Sequence, residues 1–291
     1  MKPQKFDYVR ATGVEHALAQ LATGQAQLLA GGQSLAPSLA LRMAAPERLV
    51  DLNGIAELRG LSLSGQGELI AGAMTRHRDF ERSALAHGAL PFLRHAMAGV
   101  AHVSIRNRGT IGGSLAHADP AADWPALCLA CGASMQVRSL QGTRSVKAED
   151  FGVGLFETAL VPGEMLVAIH FPAWPPGRRF GLQKMARRLG DFAIVGVICL
   201  VDTDAQGRCT AARIVLQGVS DKPVIAPAAQ ALLLGQAPAP ELLKAASLAA
   251  QDGLSPGSDL HASSEYRLEL VAALTRRALE QAFAPLESAA P

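Results

Sequence analysis

The stretch Arg106–Asp123, R-N-R-G-T-I-G-G-S-L-A-H-A-D-P-A-A-D, decides how the rest of the chain is read. Gly109, Gly112 and Gly113 remove side chains from a short segment, so the backbone can turn sharply and approach a ligand closely. Thr110, Ser114, His117, Asp119 and Asp123 add hydroxyl, imidazole and carboxylate groups to the same segment. Backbone N–H groups bared by glycines form an anion-binding nest that suits a pyrophosphate. A carboxylate further along suits a ribose hydroxyl. The same residues also fit a glycine-rich turn followed by an N-capped helix.

A second stretch, Leu28–Leu35, reads L-L-A-G-G-Q-S-L, an apolar run ending in two glycines, a Gln and a Ser. It is not a G-x-G-x-x-G fingerprint, and the chain contains no G-x-x-x-x-G-K-[ST]. In this order and spacing, A-G-G-Q-S-L and T-I-G-G-S-L-A-H-A-D-P-A-A-D resemble the FAD-binding medium subunit of the molybdenum hydroxylases. That family includes the flavoprotein of aerobic carbon monoxide dehydrogenase and the flavin domain of xanthine dehydrogenase, and the resemblance covers nearly the whole chain. It implies an α+β protein. A two-subdomain α/β FAD-binding domain of the PCMH (vanillyl-alcohol oxidase-like) type is expected over 1–174, divided near residue 54, with a C-terminal domain of antiparallel sheet and helices over 178–285.

Carried over residue by residue, the resemblance places the backbone of Ala30, Gly31, Gly32, Gln33 and Ser34 on the pyrophosphate, with Leu35 closing the motif. Thr110, Ile111, Gly112, Gly113 and Ser114 form the second wall of the cradle; many relatives carry Asn at the position of Ser114. Asp123 matches a carboxylate at the adenosine end, its alternative being a helix N-cap. Leu182–Val195, L-Q-K-M-A-R-R-L-G-D-F-A-I-V, is similar to a family segment near the flavin ring, and by that match Leu166 and Lys184 contact the cofactor. Arg187, Arg188 and Asp191 read equally as an exposed charge cluster. Arg106 and Arg108 read either as phosphate-neutralising or as solvated loop cations. His117 is given no proton-transfer role, and Asp119, before Pro120, is a turn residue.

The implied activity is that of an oxidoreductase subunit with FAD as its cofactor. Its partners are a small [2Fe–2S] subunit that supplies electrons and a large molybdopterin subunit that hydroxylates the substrate, in a heterotrimer or a dimer of heterotrimers. No nucleophile, general base or metal set is visible in the sequence, and flavin chemistry needs none. Two other readings remain. A self-contained flavin oxidoreductase of the same fold requires acid–base residues in a substrate pocket of the second domain, and a non-redox nucleotide-binding scaffold requires only the partner surfaces.

Composition narrows the field. A chain of 291 residues is long enough for two cores. A net charge of +2 gives no reason to invoke nucleic acid or a membrane surface. No apolar run is long enough to span a bilayer, and M-K-P-Q-K-F-D-Y lacks the apolar core of a signal peptide, so a cytoplasmic location is expected. Cys128-Leu-Ala-Cys131 is a lone C-x-x-C; a cluster needs further ligands, and buried thiols are the better reading.

Along the chain, Thr12 and Glu15 fit a capping box opening a helix whose inward face is Val14, Ala17, Leu18 and Leu21. Strands are expected at 26–30, 48–52, 61–64, 68–71, 134–138 and 164–171, and helices at 37–42 (or a turn), from a Thr75 cap to Arg82, at 90–101 and from Asp123 to Ala130. Trp174-Pro175-Pro176-Gly177 reads as the domain boundary. Beyond it come strands at 180–187, 192–202 and 210–216 and helices at 225–234, 241–251 and 264–283. The last helix is read with Ser263 as cap, Tyr266, Leu270, Ala273, Leu274 and Ala278 inward, and Arg276-Arg277 outward.

Overall fold

The computed structural model describes residues 2–284; the tail Ser288–Pro291, expected to be disordered, and residue 285 lie outside them. The chain forms two compact units, one of residues 2–119 and 131–173, the other of 120–130 and 174–284.

The first unit opens with β1 (Asp7–Arg10), α1 (Val14–Leu21), β2 (Ala26–Leu29), α2 (Leu35–Ala40) and β3 (Arg48–Asp51). The three strands form a wholly parallel sheet in the order β1-β3-β2. Helix α1 buries Val14, Ala17 and Leu18 in a core with Val50, Leu52, Ile55 and Leu58, as its three-and-four spacing requires. The capping box does not form. The N-cap is Gly13, the Val14 N–H is taken by Glu57 Oε1 at 3.2 Å, and the Thr12 hydroxyl meets His16 Nδ1. A carboxylate from outside the helix has replaced the local one.

The unit continues with β4 (Leu61–Leu63), β5 (Leu69–Gly72), α3 (His77–Arg82), α4 (Ala84–Ala89), α5 (Leu93–Gly99), α6 (Val103–Arg106) and α7 (Ile111–His117). After α8 (Asp123–Cys131) come β6 (Ser134–Ser139), β7 (Gly142–Lys147), α9 (Ala148–Phe151), β8 (Gly152–Gly154), β9 (Glu157–Thr158) and β10 (Met165–Phe171). A five-stranded antiparallel sheet runs β4-β5-β10-β6-β7. Thr75 does not cap α3. It is buried, and its hydroxyl donates to the Gly60 carbonyl at 2.9 Å and accepts from the Gly60 N–H. The helix expected over 90–101 forms as the shorter α5, and the chain breaks after Gly99 because Val100 is extended and Ala101 is left-handed at φ 50°. Arg106 holds that break by donating to the carbonyls of Val100 and Ala101 at 3.0 and 2.6 Å.

In the second unit β11 (Arg179–Met185), β12 (Val195–Thr203), β13 (Cys209–Gln217) and β14 (Val224–Ile225) form an antiparallel sheet in that order. Helices α10 (Pro227–Leu233), α11 (Pro240–Ala249) and α12 (Ser264–Phe283) follow. Ser263 caps α12, accepting from the Tyr266 N–H at 3.2 Å. The helix lays Leu270, Val271, Leu274, Ala278, Leu279 and Ala282 into the core with Val195, Val197 and Ile214. Tyr266 and Ala273 are exposed, not inward. Arg267 is the buried residue, donating to the carbonyls of Ile194 and Gly218 at 2.5 and 2.9 Å and pairing with Asp259 at 2.7 Å. Helix α8 belongs here. The Ala121 carbonyl accepts from the Ala193 N–H, the Pro120 carbonyl from the Gly218 N–H, and Arg213 donates to the Leu129 carbonyl at 3.0 Å.

Candidate cofactor cradle

Strands β2 and β3 run side by side in parallel, so the loops at their carboxyl ends, Ala30–Ser34 and Leu52–Gly54, emerge together. The crevice beyond the carboxyl ends of parallel strands is where such sheets bind ligands. Gly32 carries a φ of +73°, which reverses the chain into α2. Gly31 is buried and has no room for a side chain, since a Cβ there would stand 2.4 Å from the Arg108 carbonyl oxygen and 2.8 Å from Gly109 Cα. A Cβ on Gly113 would lie 3.5 Å from that of Ala30. The two sequence motifs therefore abut.

Their backbone donors differ. In the second motif the N–H groups of Ile111, Gly112 and Gly113 are consumed by the Thr75 carbonyl, the Ala73 carbonyl and Thr110 Oγ1. Gly109 and Gly112 are needed for closeness, not for unusual φ: a Cβ would meet His77 Nε2 at 2.7 Å and the Ala73 carbonyl oxygen at 2.6 Å. In the first motif, among the described residues, no acceptor is bonded to the N–H groups of Gly31, Gly32, Gln33, Ser34 or Leu35. A run of N–H groups without protein acceptors, leading from a buried glycine into the start of a helix, is a ready anion-binding nest. Of the two walls expected from the sequence, Gly31–Leu35 therefore keeps its amides without protein acceptors, and 108–113 packs closely behind it with the amides of Ile111, Gly112 and Gly113 already bonded.

Cationic groups surround this wall. Arg76 donates to the Arg108 carbonyl and to Asn53 Oδ1, and Arg59 donates to the Asn53 carbonyl. Asn53 Nδ2 donates to the Ala30 carbonyl at 2.9 Å and to Asp51 Oδ1 at 2.6 Å. Burial alone would push the Asp51 carboxyl up, but hydrogen bonds from Tyr8 and Asn53, helped by Arg10, hold it below its usual range. Arg108 is exposed. Arg106 fits neither expectation: it is buried and ion-paired with Glu81 at 3.0 Å.

A family profile described as the FAD binding domain in molybdopterin dehydrogenase matches residues 4–174, and one for the CO dehydrogenase flavoprotein C-terminal domain matches 181–282. This chain belongs to that family. It is 40% identical to the 6-hydroxypseudooxynicotine dehydrogenase complex subunit alpha of Paenarthrobacter nicotinovorans, over 97% of this chain and 96% of the relative. It is 38% identical to the carbon monoxide dehydrogenase medium chain of Afipia carboxidovorans, over 97% and 98%. A chain of the quinoline 2-oxidoreductase crystal structure from Pseudomonas putida 86 superposes with a TM-score of 0.93 at 39% identity, over 97% of this chain and 98% of that one.

As an FAD-binding medium subunit of molybdenum hydroxylase type, the chain is an oxidoreductase component whose cofactor is FAD. The cradle fits that cofactor: bare N–H donors and nearby guanidinium groups suit a pyrophosphate. No helix among the described residues is long and apolar enough to cross a membrane.

Leu166 is buried beside a bulge of β10 in the first unit. Asp123 and Lys184 are in the second unit and bond each other, Lys184 Nζ lying 2.9 and 3.1 Å from the two carboxylate oxygens, with Gln217 adding 3.3 Å. Burial raises the Asp123 carboxyl, against the pull of the Lys184 ammonium. His117 is half-buried with its ring 5.1 Å from Phe156. Arg187 and Arg188 are exposed. Asn53 and Arg76 escaped the sequence reading. Their only signal is positional: V-D-L-N-G ends the strand beside the one that ends in A-G-G.

Proposed function

We propose that this chain holds FAD with its pyrophosphate on the Gly31–Leu35 N–H groups. We further propose that it receives electrons from [2Fe–2S] clusters of a small partner subunit and passes them to an external acceptor. The carrying observation is the row of N–H groups without acceptors at the carboxyl end of a parallel sheet, backed by the 108–113 loop. When bound, FAD supplies the redox chemistry, and the protein supplies binding, orientation and electrostatics. Gly31 lets the backbone come close, Gly32 turns it, and the successive amides from Gly31 to Leu35 donate to phosphate oxygens. Arg59, Arg76 and Arg108 place positive charge around a dianionic group, which favours its entry. For Leu166, Asp123 and Lys184 a cofactor contact rests on the family resemblance alone.

The names of the relatives, subunit alpha and medium chain, support assembly with further subunits, here a small [2Fe–2S] and a large molybdopterin subunit in a cytoplasmic heterotrimer or dimer of heterotrimers. Cys128, Cys199 and Cys209 are buried in α8, β12 and β13, which supports placing the clusters in another chain. The experiment is anaerobic mixing of the FAD-loaded chain with the organic substrate of the complex, followed by bleaching of the flavin absorbance. Reduction is expected only when the cluster-bearing and molybdopterin subunits are present. Efficient reduction of the isolated chain would refute the division of labour.

A further inference from the structure

The two walls of the cradle are joined by a polar bridge. From one side, Asn53 Nδ2 donates to the Ala30 carbonyl, immediately before the Gly31–Leu35 amides, at 2.9 Å. From the other, Arg76 donates through Nη1 to the carbonyl of Arg108, the atom a Gly31 side chain would strike. The second arm of the same guanidinium donates to Asn53 Oδ1, which closes the connection Ala30–Asn53–Arg76–Arg108. Both members are fixed by their own supports. Asp51 Oδ1 accepts from the Asn53 backbone N–H at 2.8 Å and from its side chain at 2.6 Å, and Tyr8 holds the other Asp51 oxygen at 2.5 Å. Arg76 is bridged antiparallel to Thr110, through the His77 N–H on the Gly109 carbonyl and the Ile111 N–H on the Thr75 carbonyl, and its own N–H reaches Asp79 at 3.0 Å. Arg76 and Asn53 are half-buried and Asp51 is buried, so the bonds that Asn53 makes to Ala30, Asp51 and Arg76 are partly shielded from water, whereas the one to the Arg108 carbonyl lies at the surface.

Resting on the cradle reading above, we propose that Asn53 and Arg76 are positioning residues for FAD binding, setting the spacing between the amide nest and its backing wall. The planar, two-armed guanidinium is what the task needs. It satisfies two acceptors in fixed directions, which a lysine ammonium on a flexible stem does not reproduce. The nest also depends on the orientation of the Ala30–Gly31 peptide, because the Ala30 carbonyl held by Asn53 and the Gly31 N–H offered to the ligand belong to the same planar unit. Rotating that peptide loses the bond and misdirects the first donor together.

The test is fluorescence titration of FAD onto the full-length chain freed of flavin, for the parent and for Arg76→Lys, Arg76→Met, Asn53→Ala and the Asn53→Ala/Arg76→Met pair. Thermal unfolding of each apoprotein is recorded alongside. Each single variant is expected to raise the FAD dissociation constant at least about tenfold, corresponding to ~1.4 kcal/mol, with the pair no weaker than the weaker single. Arg76→Lys is expected to stay weak despite its charge, at low and at high salt. Rescue by lysine, or additive losses in the pair, would overturn the bridge in favour of simple charge attraction. Unchanged affinity in all variants would overturn it outright. If Arg76→Met or Asn53→Ala does not fold, Arg76→Lys decides alone. A Gly31→Ala control separates the two readings: normal FAD affinity there sinks the cradle itself, whereas weak Gly31→Ala with intact Asn53 and Arg76 variants sinks only the bridge.

Discussion

Gly31 and Gly109 are glycines for want of space. His77 Nε2 lies where a Gly109 side chain would begin, and burial pushes the imidazole of His77 down to about 4, with Arg76 and Arg106 adding repulsion. His77 therefore stays neutral in the folded chain down to that pH and charges in the unfolded chain near 6.5. Between those values the unfolded state binds more protons, so stability falls as pH drops through the window, by up to about 3 kcal/mol. Urea unfolding at pH 7 and pH 5 checks this: His77→Gln is expected to lose less stability than the parent over that interval, and an equal loss would contradict it.

The pair Asp123–Lys184 behaves in the opposite sense. Lys184 holds down a carboxyl that burial drives up, and both side chains are largely shielded, at 15% and 20% exposure. Lys184→Met leaves the carboxyl to take up a proton, which the folded state then binds more tightly than the unfolded one. The deficit against the parent should grow as pH rises above the unfolded carboxyl range, reaching about 3 kcal/mol at neutral pH and shrinking in acid. Chemical unfolding of both proteins at pH 5 and pH 8 measures it; a deficit independent of pH would show that the pair is not the cause.

Among the elements, β11 and α12 meet more closely than any side chain allows. A Cβ on Gly181 would stand 1.8 Å from the Ala278 carbonyl oxygen, a backbone atom that cannot swing aside. Gly181→Val should cost about 3 kcal/mol or separate the helix from the sheet, read by calorimetry as a lowered midpoint. A midpoint within the error of the parent would mean that the contact is looser than described. Elements with a clear apolar period were legible, α12 to its residue limits. β7 was not: in G-T-R-S-V-K only Val146 is buried, so an edge strand carries almost no alternation to read. The early end of the helix expected at 90–101 was hidden too, because Arg106 stabilises the break after Gly99 from beyond the segment. On α12, Tyr266 looked like core by type, yet it is exposed and Arg267 is the buried neighbour. The carbonyls of Ile194 and Gly218 and the carboxylate of Asp259 are what hold Arg267 inside.

For the molecule as a whole, both family profiles and the full-length relatives agree with the α+β architecture that the glycine motifs implied. What a linear reading misses is how the chain is shared: residues 120–130 leave the first unit to pack in the second and then return. The motif spacing showed that the glycine loops belong together. It did not show which loop keeps its amides free, because that depends on the Thr75 and Ala73 carbonyls, dozens of residues from the motif they saturate. Asn53 and Arg76 were hidden for the same reason, their partners lying 23 and 32 residues away. Amide NMR of the isotope-labelled full chain on addition of FAD tests the central claim most directly. The resonances of Gly31, Gly32, Gln33, Ser34 and Leu35 are expected to shift strongly and become protected from exchange, while those of Ile111, Gly112 and Gly113, already bonded within the protein, shift less. Bound FAD with the Gly31–Leu35 amides unmoved would contradict it.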